Sequence, residues 1–186
     1  MVKKYILAGC LLTSIFTSCS NEKEVNPFLI SQGNVGKLNT DTQLKDLDSV
    51  FSGDSIVKKA VENGFSKSNE VTIYDKEGNE LLLLDPVKEF DSTSTIGNIQ
   101  IKDKRFKTGK GLGLESTFKD ISTNYKISRI ENTLRTAVIF LDEINTYVTI
   151  DKEYIKGDAR YNTDIPIEPS QIPDEAKIKH FWIGWK

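Results

Sequence analysis

The chain has 186 residues, 38% of them apolar and 28% charged, with 25 basic residues against 27 acidic ones and a net charge of −2. So mild a balance excludes the clustered Lys and Arg of a nucleic-acid-binding domain, and it gives no electrostatic attraction to an anionic bilayer. Both cysteines, Cys10 and Cys19, lie near the amino terminus, so Ser20 to Lys186 holds no disulfide, no thiolate metal site and no Cys nucleophile.

The first element is an export signal over residues 1–18. Met1-Val2-Lys3-Lys4 is a positive start, and the apolar stretch from Ile6 to Phe16 is too short for a bilayer span of about 20 residues. The stretch ends in Phe16-Thr17-Ser18-Cys19-Ser20-Asn21. This resembles the lipobox of bacterial lipoprotein precursors, in the relaxed form with Ser before Cys that is common in Bacteroidetes-type bacteria. Phe16 stands where that family usually has Leu. The resemblance implies a diacylglycerol on the Cys19 sulfur, cleavage before it and acylation of the new amino terminus. It therefore implies a cell-envelope protein held to the outer membrane by lipid, on its periplasmic or outer surface. Two or three acyl chains, at about 0.8 kcal/mol per buried methylene, hold where one does not.

Loss of Lys3 and Lys4 leaves 23 basic residues against 27 acidic, a net charge of −4. Residues 19–27 form a lipidated polar tether, with Glu22, Lys23 and Glu24 in a stretch that resists folding. In lipoproteins of this type, acidic residues after the Cys act as a surface-export signal, which this stretch matches loosely.

Residues 28–102 and 103–186 follow one plan. Thr42-Gln43-Leu44-Lys45-Asp46-Leu47-Asp48-Ser49-Val50-Phe51 aligns without a gap on Ser116-Thr117-Phe118-Lys119-Asp120-Ile121-Ser122-Thr123-Asn124-Tyr125. Leu44, Leu47 and Phe51, like Phe118, Ile121 and Tyr125, recur at helical spacing and predict one apolar stripe on each of two helices. Thr40 with Gln43 and Thr117 with Asp120 read as capping boxes. Glycines precede each helix: Gly33 and Gly36 in one half, Gly109, Gly111 and Gly113 in the other. After the helices come hairpins, Val71–Asp75 with Glu80–Leu84 and Ala137–Asp142 with Thr146–Ile150, and then final strands at Thr95–Ile101 and Lys177–Ile183. The expected fold is α+β: two tandem repeats, each a Gly-rich turn and one helix packed on an antiparallel sheet.

The second Gly-rich turn is a candidate anion site. Lys107, Lys110, Gly111 and Gly113 stand before a helix whose first N–H groups suit an anion. No Gly-Lys-Ser/Thr follows as in a nucleotide-binding loop, and glycine serves a sharp strand-to-helix turn equally well.

Catalytic signatures are absent from the sequence, and no cofactor or metal is expected. The single histidine, His180, cannot build the usual zinc sites, and no Gly-x-Ser-x-Gly elbow occurs. The acid pairs Asp46/Asp48, Asp142/Glu143 and Asp151/Glu153 leave open a carboxylate-dependent envelope hydrolase as the alternative function. Asp75, Glu77, Asn79 and Glu80 around Gly78 read as a turn, lacking the spacing of a calcium loop.

Gly157 to Pro173, rich in turn residues, is expected to be an ordered surface loop. In the last strand, alternation sends Phe181, Ile183 and Trp185 to one face and Ile178, His180 and Trp182 to the other. Trp182 with Tyr161 is a candidate aromatic platform for a sugar ring or protein partner, beside a purely structural reading as a strand covered on both sides. The expected function is non-catalytic binding or scaffolding, with a partner protein, glycan or small ligand.

Overall fold

The structure is a computed structural model that describes residues 26–63 and 66–185. The signal segment, Cys19 and most of the tether lie outside the described residues. Among the described residues the fold is α+β, dominated by strands, with two sheets and two short α-helices.

The chain opens with β1 (Leu29–Ser31), β2 (Asn34–Val35) and β3 (Leu38–Asn39). A 3-10 turn at Leu44–Asp46 runs into α1 (Leu47–Val50), followed by β4 (Ser55–Asn63), β5 (Ser66–Tyr74), β6 (Glu80–Pro86) and β7 (Ile96–Ile101). The second half holds β8 (Lys107–Thr108), α2 (Phe118–Asn124), β9 (Arg129–Asn132), β10 (Thr136–Leu141), β11 (Thr146–Asp151) and β12 (His180–Gly184).

One sheet has eight strands in the order β4-β5-β6-β7-β12-β11-β10-β9, all antiparallel neighbours. The other has four, β3-β2-β1-β8, with β1 and β8 parallel. Residues directly opposite on neighbouring strands share a face, so the register yields whole rows. The row Ile56–Ile73–Leu82–Ile101–Phe181–Val148–Ile139–Ile130 crosses all eight strands without a polar side chain. This is the core face. Both helical stripes are buried in the same core: Leu44, Leu47 and Phe51 from one side, Phe118, Ile121 and Tyr125 from the other.

Capping differs between the helices. The Thr117 N–H donates to the Asp120 carboxylate at 2.8 Å, as the sequence predicts. In the first half the cap is Gln43 with Asp46, at 3.3 Å, in place of Thr40 with Gln43. Thr42 Oγ1 accepts the Asn39 N–H, and that local turn moves the helix start three residues along.

Four further backbone bonds anchor the helix starts. Leu44 and Lys45 donate to the carbonyls of Ser94 and Ser92, while Phe118 and Lys119 donate to those of Ala176 and Asp174. The loop from Gly157 to Pro173 is ordered as expected. The Asn132 side-chain amide donates toward the carbonyls of Ala159, Asn162 and Ile165 at 2.7 to 3.0 Å, and Ala159 and Ile167 are buried.

Candidate ligand-binding groove

The face of the eight-stranded sheet opposite the core carries the row Val57–Thr72–Leu83–Gln100–Trp182–Tyr147–Phe140–Arg129. Its second half is a continuous stack. Trp182 and Tyr147 have ring centroids 6.0 Å apart and planes 3° from parallel, and Tyr147 and Phe140 lie 5.6 Å apart. The Arg129 guanidinium closes the stack, 3.4 Å from the Phe140 centroid. Alternation explains why these residues gather: Val148, Ile150, Ile139 and Leu141 take the core face, leaving Tyr147 and Phe140 for the other.

A groove of about 750 Å³ opens beside this stack. Phe140, Tyr147, Arg129 and Asn98 line it on the sheet side, with Asp142, Asn145, Val87 and Thr40 along its edges. The Tyr147 hydroxyl donates to Asn98 Oδ1 at 3.4 Å, and Arg129 is shared between Glu131 at 3.1 Å and Asp142 at 3.7 Å. Gly184, opposite Asn98, has no side chain to fill the space between Asn98 and Tyr147.

Three titrations on this face are displaced, each mainly by burial. Burial raises the Tyr147 phenol, and the nearby Asp85 carboxylate adds to the rise. Burial likewise raises Asp85, with Glu70 and Glu89 reinforcing it. His180 is lowered by burial and then by Lys179 and Lys102, against an opposing effect of Asp151, and its Nδ1 lies 3.1 Å from Gln100 Nε2.

The sequence-derived anion residues do not converge. The Lys110 ammonium donates to the Asn124 carbonyl at 2.6 Å and lies 4.6 Å from the Tyr125 ring, so it serves the carboxyl end of α2. The first amides of α2 are taken by Asp120, Ala176 and Asp174, which leaves them no free N–H to offer an anion. Lys107 is exposed on β8. Gly111 has φ of +84° in a tight turn, and a Cβ at Gly113 would meet the Phe106 carbonyl at 2.7 Å, so both glycines serve the backbone.

Trp182 and Tyr161 are also apart in their surroundings. Trp182 stacks on Tyr147, whereas Tyr161 is 83% exposed and lines a separate shallow groove with Tyr154, Arg160 and Pro173. The partner Trp182 has is Tyr147, directly opposite it on the neighbouring strand β11. The acid pairs are likewise dispersed: Asp48 is near Lys58, Asp142 near Arg129, Glu143 near Lys110 and Asp151 on Lys179. The Asp75 turn is confirmed as a turn, since its carboxylate accepts the Glu77 and Asn79 N–H groups and the Arg105 guanidinium. Among the described residues no three His, Cys, Asp or Glu side chains come together as a metal site.

No protein-family model matches the chain, and no curated protein matches it in sequence. Its fold is similar to the crystal structure of the uncharacterized protein yfeY from Escherichia coli, with a TM-score of 0.55 at 12% identity, over 84% of this chain and 97% of that one. At such identity the likeness shows a shared fold alone.

Proposed function

We propose that this is a lipid-anchored protein of the bacterial envelope with a non-catalytic binding role, and that its ligand is a glycan held in the groove beside Tyr147. The observation that carries the reading is the lining of that groove. Aromatic rings at Phe140 and Tyr147 suit the C–H faces of sugars, and planar polar groups at Asn98, Asn145, Asp142 and Arg129 suit their hydroxyls. Among the described residues Asp142 is the one carboxylate lining the groove, which argues against two-carboxylate hydrolysis there. The anchor rests on the lipobox-like segment ending at Cys19.

The finer reading of the fold as two tandem repeats, 28–102 and 103–186, is supported by the register at the middle of the large sheet. The sequence alignment equates Ile99 with Phe181, Gln100 with Trp182 and Ile101 with Ile183. In the sheet Ile99 pairs with Ile183, Ile101 pairs with Phe181, and Gln100 pairs with its own equivalent Trp182. Two repeats related by a local two-fold axis at that pair would produce this register. The isolated bridges Gln43 to Thr95 and Thr117 to Lys177 also join equivalent positions. Superposing the two halves of an experimental structure is the check, and failure of their helices and strands to coincide would end the repeat reading.

The binding role is tested by calorimetry of the purified protein against envelope oligosaccharides, alongside the intact mass of the protein extracted from its membrane. Saturable binding that is lost in Tyr147→Ala, with a mass increase matching acylation, supports the proposal. No binding across the panel, or binding unchanged in Tyr147→Ala, refutes the glycan; an unmodified mass refutes the anchor.

A further inference from the structure

A second groove, of about 440 Å³, shares no lining residue with the one beside Tyr147. It lies where β10 begins and β11 ends, at the opposite end of those strands from Asp142 and Asn145. Two segments are fastened together there. The turn between β9 and β10 is closed by Thr133, whose N–H and hydroxyl both donate to the Thr136 carbonyl, at 3.0 and 2.8 Å, and it presents Leu134 and Arg135. A 3-10 turn at Asp158–Arg160 runs into Tyr161, and the Asn132 amide ties its loop to the same hairpin through the carbonyls of Ala159, Asn162 and Ile165. The Lys152 N–H donates to the Arg135 carbonyl at 3.0 Å, which sets these two residues side by side.

The groove's lining is cationic in an acidic chain. Arg135, Lys152, Arg160 and Lys179 face two carboxylates, Asp151 and Glu153, a local charge of +2 where the whole chain has −2. Asp151 is taken by Lys179 at 2.6 Å. Arg135, Lys152 and Arg160 have no carboxylate within ion-pair distance among the described residues. Lys152 is only 8% exposed, and a charge so deep is costly unless a counter-ion reaches it. Its ammonium is not among the unpartnered side-chain atoms sealed from solvent, so it remains open at the groove it lines.

The rim is apolar and accessible. Leu134, 87% exposed, and Tyr161, 83% exposed, are the two most exposed large apolar residues among those described, and both line this groove. The Arg160 guanidinium lies 5.5 Å from the Tyr161 ring, so an anion at Arg160 and a ring on Tyr161 are neighbours in one ligand.

We propose that this groove binds a small phosphate monoester with a ring next to its phosphate. A phosphate monoester carries about −1.5 to −2 near pH 7 on three terminal oxygens, which matches the charge of the lining. Two guanidinium forks and one ammonium supply more donors than the two oxygens of a carboxylate need. The phosphate sits against Lys152, Arg135 and Arg160, and the ring lies on Tyr161 beside Leu134.

The test is calorimetry of the purified protein in a non-ionic detergent with phenyl phosphate as the probe, at low ionic strength so that the charges are not screened. Saturable binding is expected for phenyl phosphate and none for phenol. Lys152→Met keeps the unbranched stem, removes the charge and is expected to weaken binding about ten-fold or more, the loss of one charge-assisted contact. Arg160→Gln, at an exposed position, is expected to do the same and serves should Lys152→Met not fold. Tyr161→Ala is expected to cost about two- to ten-fold, and Tyr147→Ala to change nothing. Absent binding, phenol bound as tightly as phenyl phosphate, or affinity undiminished in the folded charge variant overturns the proposal. Loss of binding in Tyr147→Ala overturns it too, by moving the anion to the other groove, whereas failure of glycans to bind beside Tyr147 leaves this site untouched.

Discussion

Gln100 and Trp182 stand directly opposite each other on β7 and β12, the two strands at the middle of the eight-stranded sheet. From this pair the row on the face away from the core runs one way through aliphatic and small polar side chains, Leu83, Thr72 and Val57. It runs the other way through Tyr147 and Phe140 to Arg129. The two halves of one row thus carry different chemistry on the same backbone plan, and the groove belongs to the aromatic half.

Trp182 does not line that groove; it stacks against Tyr147, which does. Trp182→Ala is therefore expected to weaken glycan binding by about two- to ten-fold, the loss of one aromatic pair worth about 0.5–1.5 kcal/mol. Phe181→Ala, its fully buried neighbour in sequence, is expected to cost about 3–5 kcal/mol of stability through the cavity it leaves. Calorimetry and chemical denaturation on the two variants separate the roles. Equal destabilisation by both would make Trp182 a core residue and end its part in the groove.

Much of this was legible in the chain. Both helical stripes, both hairpins and the alternation of His180 to Trp185 follow from local periodicity, because burial of one face imposes it. Two strands were not legible: β4, with Lys58 and Lys59 in its middle, and β9, with Arg129 and Glu131. They are the two edges of the large sheet, where charge replaces clean alternation and discourages pairing with another chain. The four-stranded sheet was hidden as well, since strands of two or three residues leave no period to read. The groove was half legible. Alternation places Tyr147 and Phe140 away from the core, but Asn98 reaches Tyr147 across 49 residues of sequence and only the sheet order supplies that contact.

Stability should respond to pH through the same face, with two opposing trends. His180 has a lowered folded pKa, so its contribution is present above about 6.5 and is lost as pH falls through the folded value. Asp85 has a raised folded pKa, so its contribution is present below the ordinary carboxylate value and is lost as pH rises through the folded one. Asp85→Asn is expected to raise the melting temperature at pH 7 and to leave it unchanged at pH 3. His180→Gln is expected to flatten the decline below pH 6.5. Melting curves at pH 3, 5 and 7 read both, and an Asp85→Asn variant less stable at pH 7 would contradict the burial assigned to that carboxylate.

Glycine is required to very different degrees along the chain. A Cβ at Gly36 would stand 2.2 Å from the Pro27 carbonyl oxygen, on backbone with φ of +56°. At Gly111, φ is +84° but nothing lies within 4 Å of the added atom. Gly111→Ala is expected to cost about 1–2 kcal/mol, the strain of the left-handed region alone. Gly36→Ala must also move the backbone at Pro27, and the loss is expected to exceed that of Gly111→Ala clearly. Urea midpoints of the two variants decide; equal values would place the Pro27 segment elsewhere than against Gly36.

The Asp75 carboxylate ties the β5–β6 turn to Arg105, and its titration gives the turn an acid signature. The Asn79 backbone N–H is the main reason that Asp75 is held down to about 2; burial opposes it as the next largest effect, and the Asn79 side chain, Arg105 and the Glu77 N–H lower it further. A carboxylate whose folded pKa is lowered contributes stability above about 3.9 that is lost as pH falls toward the folded value. Because the leading partner is a backbone N–H, Arg105→Ala is expected to move the Asp75 titration only part of the way back, whereas it breaks the ion pair to Asp103 as well. Asp75→Asn keeps an oxygen for the turn's N–H groups but abolishes the charge, so its stability should vary less than that of the wild type between pH 4 and pH 2. NMR titration of the Asp75 carboxyl carbon in the Arg105→Ala variant is the direct measurement. A full return to the ordinary value would transfer the turn's electrostatics from the Asn79 backbone to the Arg105 guanidinium.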